Sequence, residues 1–100
     1  MIHSITPVEL QQKIKQHETL QLIDVREFFE REAFHIGGDH IPLQQIFEKA
    51  SKIQRDIPVV FYCQKGIRSQ IAIQRLQERL QFSNLINLQG GMDAWKKASS

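Results

Sequence analysis

Apolar and polar positions follow two different periods along this chain, and the change between them is sharpest at its centre. Val59 to Tyr62 is an unbroken β-branched and aromatic run, which predicts a buried strand. From Ser69 the period lengthens. Ser69, Ala72, Ile73, Leu76 and Leu80 recur at spacings of three and four, with Gln70, Gln74, Arg75, Gln77 and Glu78 on the other side, which predicts an amphipathic helix. Residues 59 to 80 therefore read as strand, tight loop and helix.

The remaining elements follow from the same patterns. Ile2 to Ile5 predicts a short edge strand. Thr6-Pro7-Val8-Glu9 combines a capping box with proline at the first helical position, opening a helix to about His17 that buries Leu10 and Ile14. Leu20 to Val25 predicts a central strand with Asp24 at its carboxyl edge. Glu27 to Glu32 predicts a short helix with Phe28 or Phe29 turned inward, followed by a Gly37-Gly38 turn and a very short strand near His40-Ile41. Leu43, Ile46, Phe47, Ala50 and Ile53 carry helical spacing up to the break at Pro58. Asn84 to Leu88 predicts the last strand, Gly90-Gly91 a turn, and Met92 to Lys97 a terminal helix with Trp95 in the core. Strands alternating with helices imply an α/β fold with a mainly parallel sheet.

Composition narrows the function classes. One hundred residues, 41% hydrophobic and 24% charged, suit one globular domain, expected over residues 1 to 100. A formal charge of +2 is too small to argue for nucleic acid through bulk electrostatics. No apolar run is long enough to span a bilayer, and the amino terminus lacks signal-peptide character, so neither membrane nor nucleic acid is an expected partner and a cytoplasmic location is expected. His3, His17, His35 and His40 show no metal-ligand spacing, so no metal is expected. Arg26 and Glu30, four apart, predict a surface ion pair.

The candidate chemistry lies at Cys63, the only cysteine, placed at the carboxyl end of a strand and beneath the amino end of a helix. The first amides of a helix have no partner within it and point, with the positive end of the helix dipole, into the preceding loop. Amides of residues 64 to 68 curled round the sulfur would favour its thiolate and hold an anionic substrate beside it. Gly66 permits the turn, and Lys65 at the loop tip would steer anions. Arg68 offers a planar fork for an oxyanion, or equally a partner for a carboxylate such as Asp24.

Cys63-Gln64-Lys65-Gly66-Ile67-Arg68-Ser69 resembles the C-x-x-G-x-R-S active-site loop of single-domain rhodanese sulfurtransferases. Leu22-Ile23-Asp24-Val25-Arg26-Glu27 resembles that family's strand ending in Asp-Val-Arg, His35-Ile36-Gly37-Gly38 its His-Ile-Pro-Gly stretch, and Leu88 to Trp95 its closing Gly-Gly-x-x-x-Trp. Gly37-Gly38-Asp39 stands where the family usually has Pro-Gly-Ala. In this respect the chain is similar to rhodanese domains fused to adenylyltransferases that activate ubiquitin-like sulfur carriers.

The resemblance implies a three-layer domain with about five short strands and helices on both faces. It implies Cys63 as the catalytic nucleophile, Gln64, Lys65, Gly66, Ile67, Arg68 and Ser69 as the anion-binding loop, and Asp24 and Arg26 in support. The implied reaction moves a sulfane sulfur from thiosulfate or a protein persulfide to a thiophilic acceptor through a Cys63 persulfide, with no cofactor. Partners would be a small anionic donor or protein persulfide, and a ubiquitin-like sulfur carrier or adenylyltransferase. Two other readings stand beside it: a cysteine-dependent phosphatase or arsenate reductase, whose loop runs Cys-x5-Arg where Cys63 to Arg68 is Cys-x4-Arg, and a non-catalytic interaction module of the same fold.

Overall fold

The computed structural model describes residues 2–100. Five strands, β1 (His3–Ile5), β2 (Gln21–Asp24), β3 (Asp39–His40), β4 (Val59–Tyr62) and β5 (Leu85–Leu88), form one sheet in the order β1-β5-β4-β2-β3. Every pairing is parallel. Parallel neighbours need crossover connections, and these are supplied by α1 (Pro7–Lys15), α2 (Phe28–Ala33) and α3 (Ile67–Leu80), with α4 (Gly91–Ser99) closing the chain.

Strand β4 is central and buried on both faces, which is why its sequence is a continuous apolar run. Its alternation sorts the two halves of the core. Val59, Phe61 and Cys63 join Ile23, Val25 and Leu85 beneath Ala72, Ile73 and Leu76 of α3, whereas Val60 and Tyr62 join Leu10 of α1 and Met92 of α4 on the other face. Trp95 is half-buried against this second cluster. Continuing the two-residue period of β4 by one step places the Cys63 side chain on the α3 face.

The structure departs from expectation at three places, each for a local reason. Helix α1 carries the Thr6–Glu9 capping box but ends at Lys15, with His17 left-handed, and Ile14 is 40% exposed. Residues 43–53 form two 3-10 turns instead of one helix: Ile46, Ala50, Lys52 and Ile53 bond back to the carbonyls of Leu43, Phe47, Lys49 and Ala50, three residues earlier. Ile46 and Ile53 are buried all the same, so anchoring these side chains in the core overrode the propensity for a regular helix. In α2, Phe28 and Phe29 face outward at 65% and 70% exposure because the inward direction is taken by Glu30 and Arg31, which pair with Arg68 and Asp24.

Candidate functional site

The loop from β4 to α3 arranges the chemistry. Gly66 caps α3 in the left-handed region at φ 90°, a conformation that favours glycine, and a Cβ there would press on the Gly90 backbone. The turn directs two amides at the sulfur. Gly66 N–H donates to Cys63 Sγ at 3.1 Å and Ser69 N–H at 3.4 Å, and the Ser69 hydroxyl lies 3.3 Å from the same atom. Ser69, read from sequence as part of the apolar face of α3, is fully buried as that face requires, with its hydroxyl lying between the sulfur and Asn87.

A residue that the sequence reading passed over holds this turn from below. Asn87 on β5 is buried; its Oδ1 accepts from the Ser69 hydroxyl at 2.5 Å and its Nδ2 donates to the Gly66 carbonyl at 3.1 Å. A lone polar side chain inside the apolar run Leu85–Leu88 was the available signal. From the other side, the first amides of α4 take the loop's carbonyls, Met92 N–H donating to Cys63 at 2.9 Å and Asp93 N–H to Gln64 at 3.0 Å. Gly91 is needed for that approach because a Cβ would collide with the Cys63 carbonyl.

The cations are disposed differently from the sequence expectation. Arg26 is buried and forms no surface pair with Glu30; it donates from Nε and Nη2 to the two carboxylate oxygens of Asp24, each at 3.0 Å. The same guanidinium donates to the Phe34 carbonyl and, at 3.1 Å, to Gln64 Oε1, while Gln64 Nε2 donates to Asp93 at 2.6 Å. Arg68 pairs with Glu30, not Asp24: Nη1 and Nη2 reach Oε1 and Oε2 at 2.7 and 2.8 Å. The Arg68 hydrogen bonds, helped by the Glu27 amide, outweigh burial and hold the Glu30 carboxyl at a pKa of about 2, and the Arg68 pKa is raised by the same contact. Lys65 is exposed, with no carboxylate in salt-bridge range among the described residues.

Glu30, Cys63, Gln64, Lys65, Ile67 and Arg68 line a cleft of about 260 Å³. Cys63 is 1% exposed, so only a narrow approach reaches its sulfur. A larger groove of about 550 Å³, lined by His3, Glu9, Arg55 and Asn84 among others, contains none of the candidate residues, which line the smaller one. Asp24 and Arg26 do not line the cleft but brace its wall through Gln64. Among the described residues no group of three or more His, Cys, Asp or Glu side chains could hold a metal ion, and no helix is long and apolar enough to cross a membrane.

This fold and loop are those of a sulfur-handling α/β domain, and residues 6–98 match the rhodanese-like domain: the chain belongs to that family. It is 38% identical over 96 residues to the putative sulfurtransferase YtwF of Bacillus subtilis, with 95% of this chain and 91% of that one covered. Identity is 35% over 97 residues to the probable adenylyltransferase/sulfurtransferase MoeZ of Mycobacterium tuberculosis, covering 94% of this chain but only 24% of that protein, so the chain spans about a quarter of this relative's length. It is 31% over 97 residues to the thiosulfate sulfurtransferase GlpE of Coxiella burnetii, covering 96% and 89%. The crystal structure of a rhodanese-like domain protein from Staphylococcus aureus superposes with a TM-score of 0.86 at 27% identity, covering 94% of this chain and 91% of that one.

The Arg68–Glu30 pair carries a pH signature. Because the folded carboxyl titrates near 2 instead of its ordinary 4.5, its contribution to stability is present above 4.5 and is lost as pH falls towards 2. Urea unfolding of wild type and Glu30→Gln should therefore show a stability gap that is constant above pH about 5 and closes between about 4.5 and 2. A gap independent of pH across that range would remove the ion pair as its cause.

Proposed function

We propose that the domain is a sulfurtransferase working through a persulfide on Cys63. The Cys63 thiolate attacks the outer sulfur of thiosulfate; an S–S bond forms to Cys63 as the S–S bond to sulfite breaks, the electron pair leaving with sulfite. The terminal sulfur, now anionic, is then attacked by a thiophile such as cyanide, giving thiocyanate and restoring the thiolate. The observation that carries this reading is the convergence of the Gly66 and Ser69 amides on Cys63 Sγ within a cleft whose rim carries Lys65. No step needs a metal, an organic cofactor or a separate general acid. The phosphatase reading is weaker because Arg68, which would have to grip a phosphoryl group, already gives both Nη atoms to Glu30.

Thiosulfate should add roughly 32 Da to the intact protein, one sulfur, removable by cyanide and absent in Cys63→Ser. An unmodified wild-type mass under excess donor, or aryl phosphate hydrolysis that disappears in Cys63→Ser, would overturn the proposal.

The acceptor side extends to proteins, such as a ubiquitin-like sulfur carrier or adenylyltransferase, a reading supported by the likeness to MoeZ, a probable adenylyltransferase/sulfurtransferase. Ile67 at the cleft is 63% exposed, and Phe28 and Phe29, on the helix that carries Glu30, have no covering cation among the described residues, whereas Phe34 and Phe47 lie under Lys96 and Arg79. These exposed apolar side chains, one lining the cleft and two on the helix that carries Glu30, offer footing to a protein and are of no use to cyanide. The double variant Phe28→Ser/Phe29→Ser should keep the wild-type thiosulfate-to-cyanide rate while sulfur transfer to reduced thioredoxin, used as a protein-thiol probe, slows by about tenfold. Equal slowing with both acceptors, or no slowing with either, would count against a docking role.

A further inference from the structure

The structure assigns to Glu30 a further role: it is a specificity-determining residue that, by cancelling the charge of Arg68, reduces the advantage a dianionic sulfur donor would hold over sulfane sulfur on a singly charged or neutral carrier. This rests on the sulfurtransferase reading of the cleft. The charged side chains lining the cleft are Glu30, Lys65 and Arg68. Arg68 gives both Nη atoms to the Glu30 carboxylate in a bidentate pair, so its charge is spent before any substrate arrives. The other nearby guanidinium, on Arg26, is likewise committed to Asp24. Lys65 is thus the uncompensated charge among the cleft-lining side chains.

Glu30 is not free to withdraw. Its Oε1 also accepts the Glu27 amide at 2.9 Å, closing the capping box of α2, so the carboxylate is pinned from its own helix as well as by Arg68. A donor entering the cleft must face this carboxylate or pull Arg68 away from it and leave the negative charge uncovered. The Coulomb attraction that Glu30 cancels scales with donor charge, so a dianion loses twice what a monoanion does. Thiosulfate thereby loses much of the advantage that its second charge would give it over a thiosulfonate or a thiol persulfide presented by a peptide.

The test compares thiosulfate with methanethiosulfonate, a monoanionic sulfane donor, using cyanide as acceptor. Glu30→Gln keeps an oxygen for the Glu27 amide and for Arg68 but removes the charge. It should lower KM for thiosulfate by about tenfold and KM for methanethiosulfonate by about threefold, with kcat for both nearly unchanged. Glu30→Asp, which keeps the charge, should retain the wild-type ratio between the donors. An equal KM change for both donors, or a rise in KM for thiosulfate in Glu30→Gln, would overturn the inference and make Glu30 a positioner of Arg68. Absence of sulfur transfer from either donor in wild type would instead overturn the sulfur-transfer reading, and this inference with it.

Discussion

The ion pair between Asp24 and Arg26 is the contact on which the carboxyl edge of the sheet depends. Both side chains are buried, and breaking such a pair by removing one partner typically costs about 3–5 kcal/mol because the other charge is left without compensation. Desolvation makes the pair a weak source of net stability, but it makes position valuable. With Asp24 fixing two of its nitrogens, the guanidinium reaches the end of α2 through Phe34 and the active loop through Gln64. Asp24 accepts the Arg26 amide as well, and Arg31 approaches it at 3.5 Å. One buried carboxylate thereby ties β2, α2 and the loop after β4 into a single rigid wall.

Against that wall, the loop has the carbonyls of Cys63, Gln64 and Gly66 satisfied from outside itself. Its carbonyls are taken by α4 amides and by Asn87, and this leaves the Gly66 and Ser69 amides free to point at Cys63 Sγ. Cys63 Sγ thus faces two backbone dipoles that need no reorganisation when charge develops. The two arginines contribute little free charge to the cleft, since each is neutralised by a carboxylate. Electrostatic support for sulfur therefore comes first from amides, and the arginines act as struts.

The sequence made the architecture legible where side-chain periodicity and backbone demand coincide. The apolar run of β4, the amphipathic period of α3 and the Thr6–Glu9 box each have one good structural solution, and each took it. The turn was legible too, because Cys63 follows the strand directly and Gly66 directly precedes the helix. What sequence spacing could not reveal was the partner of each charge. Arg26 and Glu30 stand four apart, yet Arg26 lies before the helix and turns to Asp24, while Glu30 crosses to Arg68, thirty-eight residues away. These two choices expelled Phe28 and Phe29 from the core. Asn87 was missed for a related reason, since its role exists only once β5 lies beside β4.

The central claim is that Cys63 sulfur is the reacting atom and that the Gly66 and Ser69 amides hold the charge it carries. Attack on thiosulfate moves that charge from Sγ to the outer sulfur, so those two amides must sense the step directly. Amide proton chemical shifts followed by NMR during stoichiometric addition of thiosulfate test this most closely. The Gly66 and Ser69 resonances should move more than any others in wild type, return on adding cyanide, and stay in place in Cys63→Ser. Sulfuration of Cys63 that leaves both resonances unmoved, or shifts centred on the larger groove lined by His3, Glu9, Arg55 and Asn84, would contradict the account.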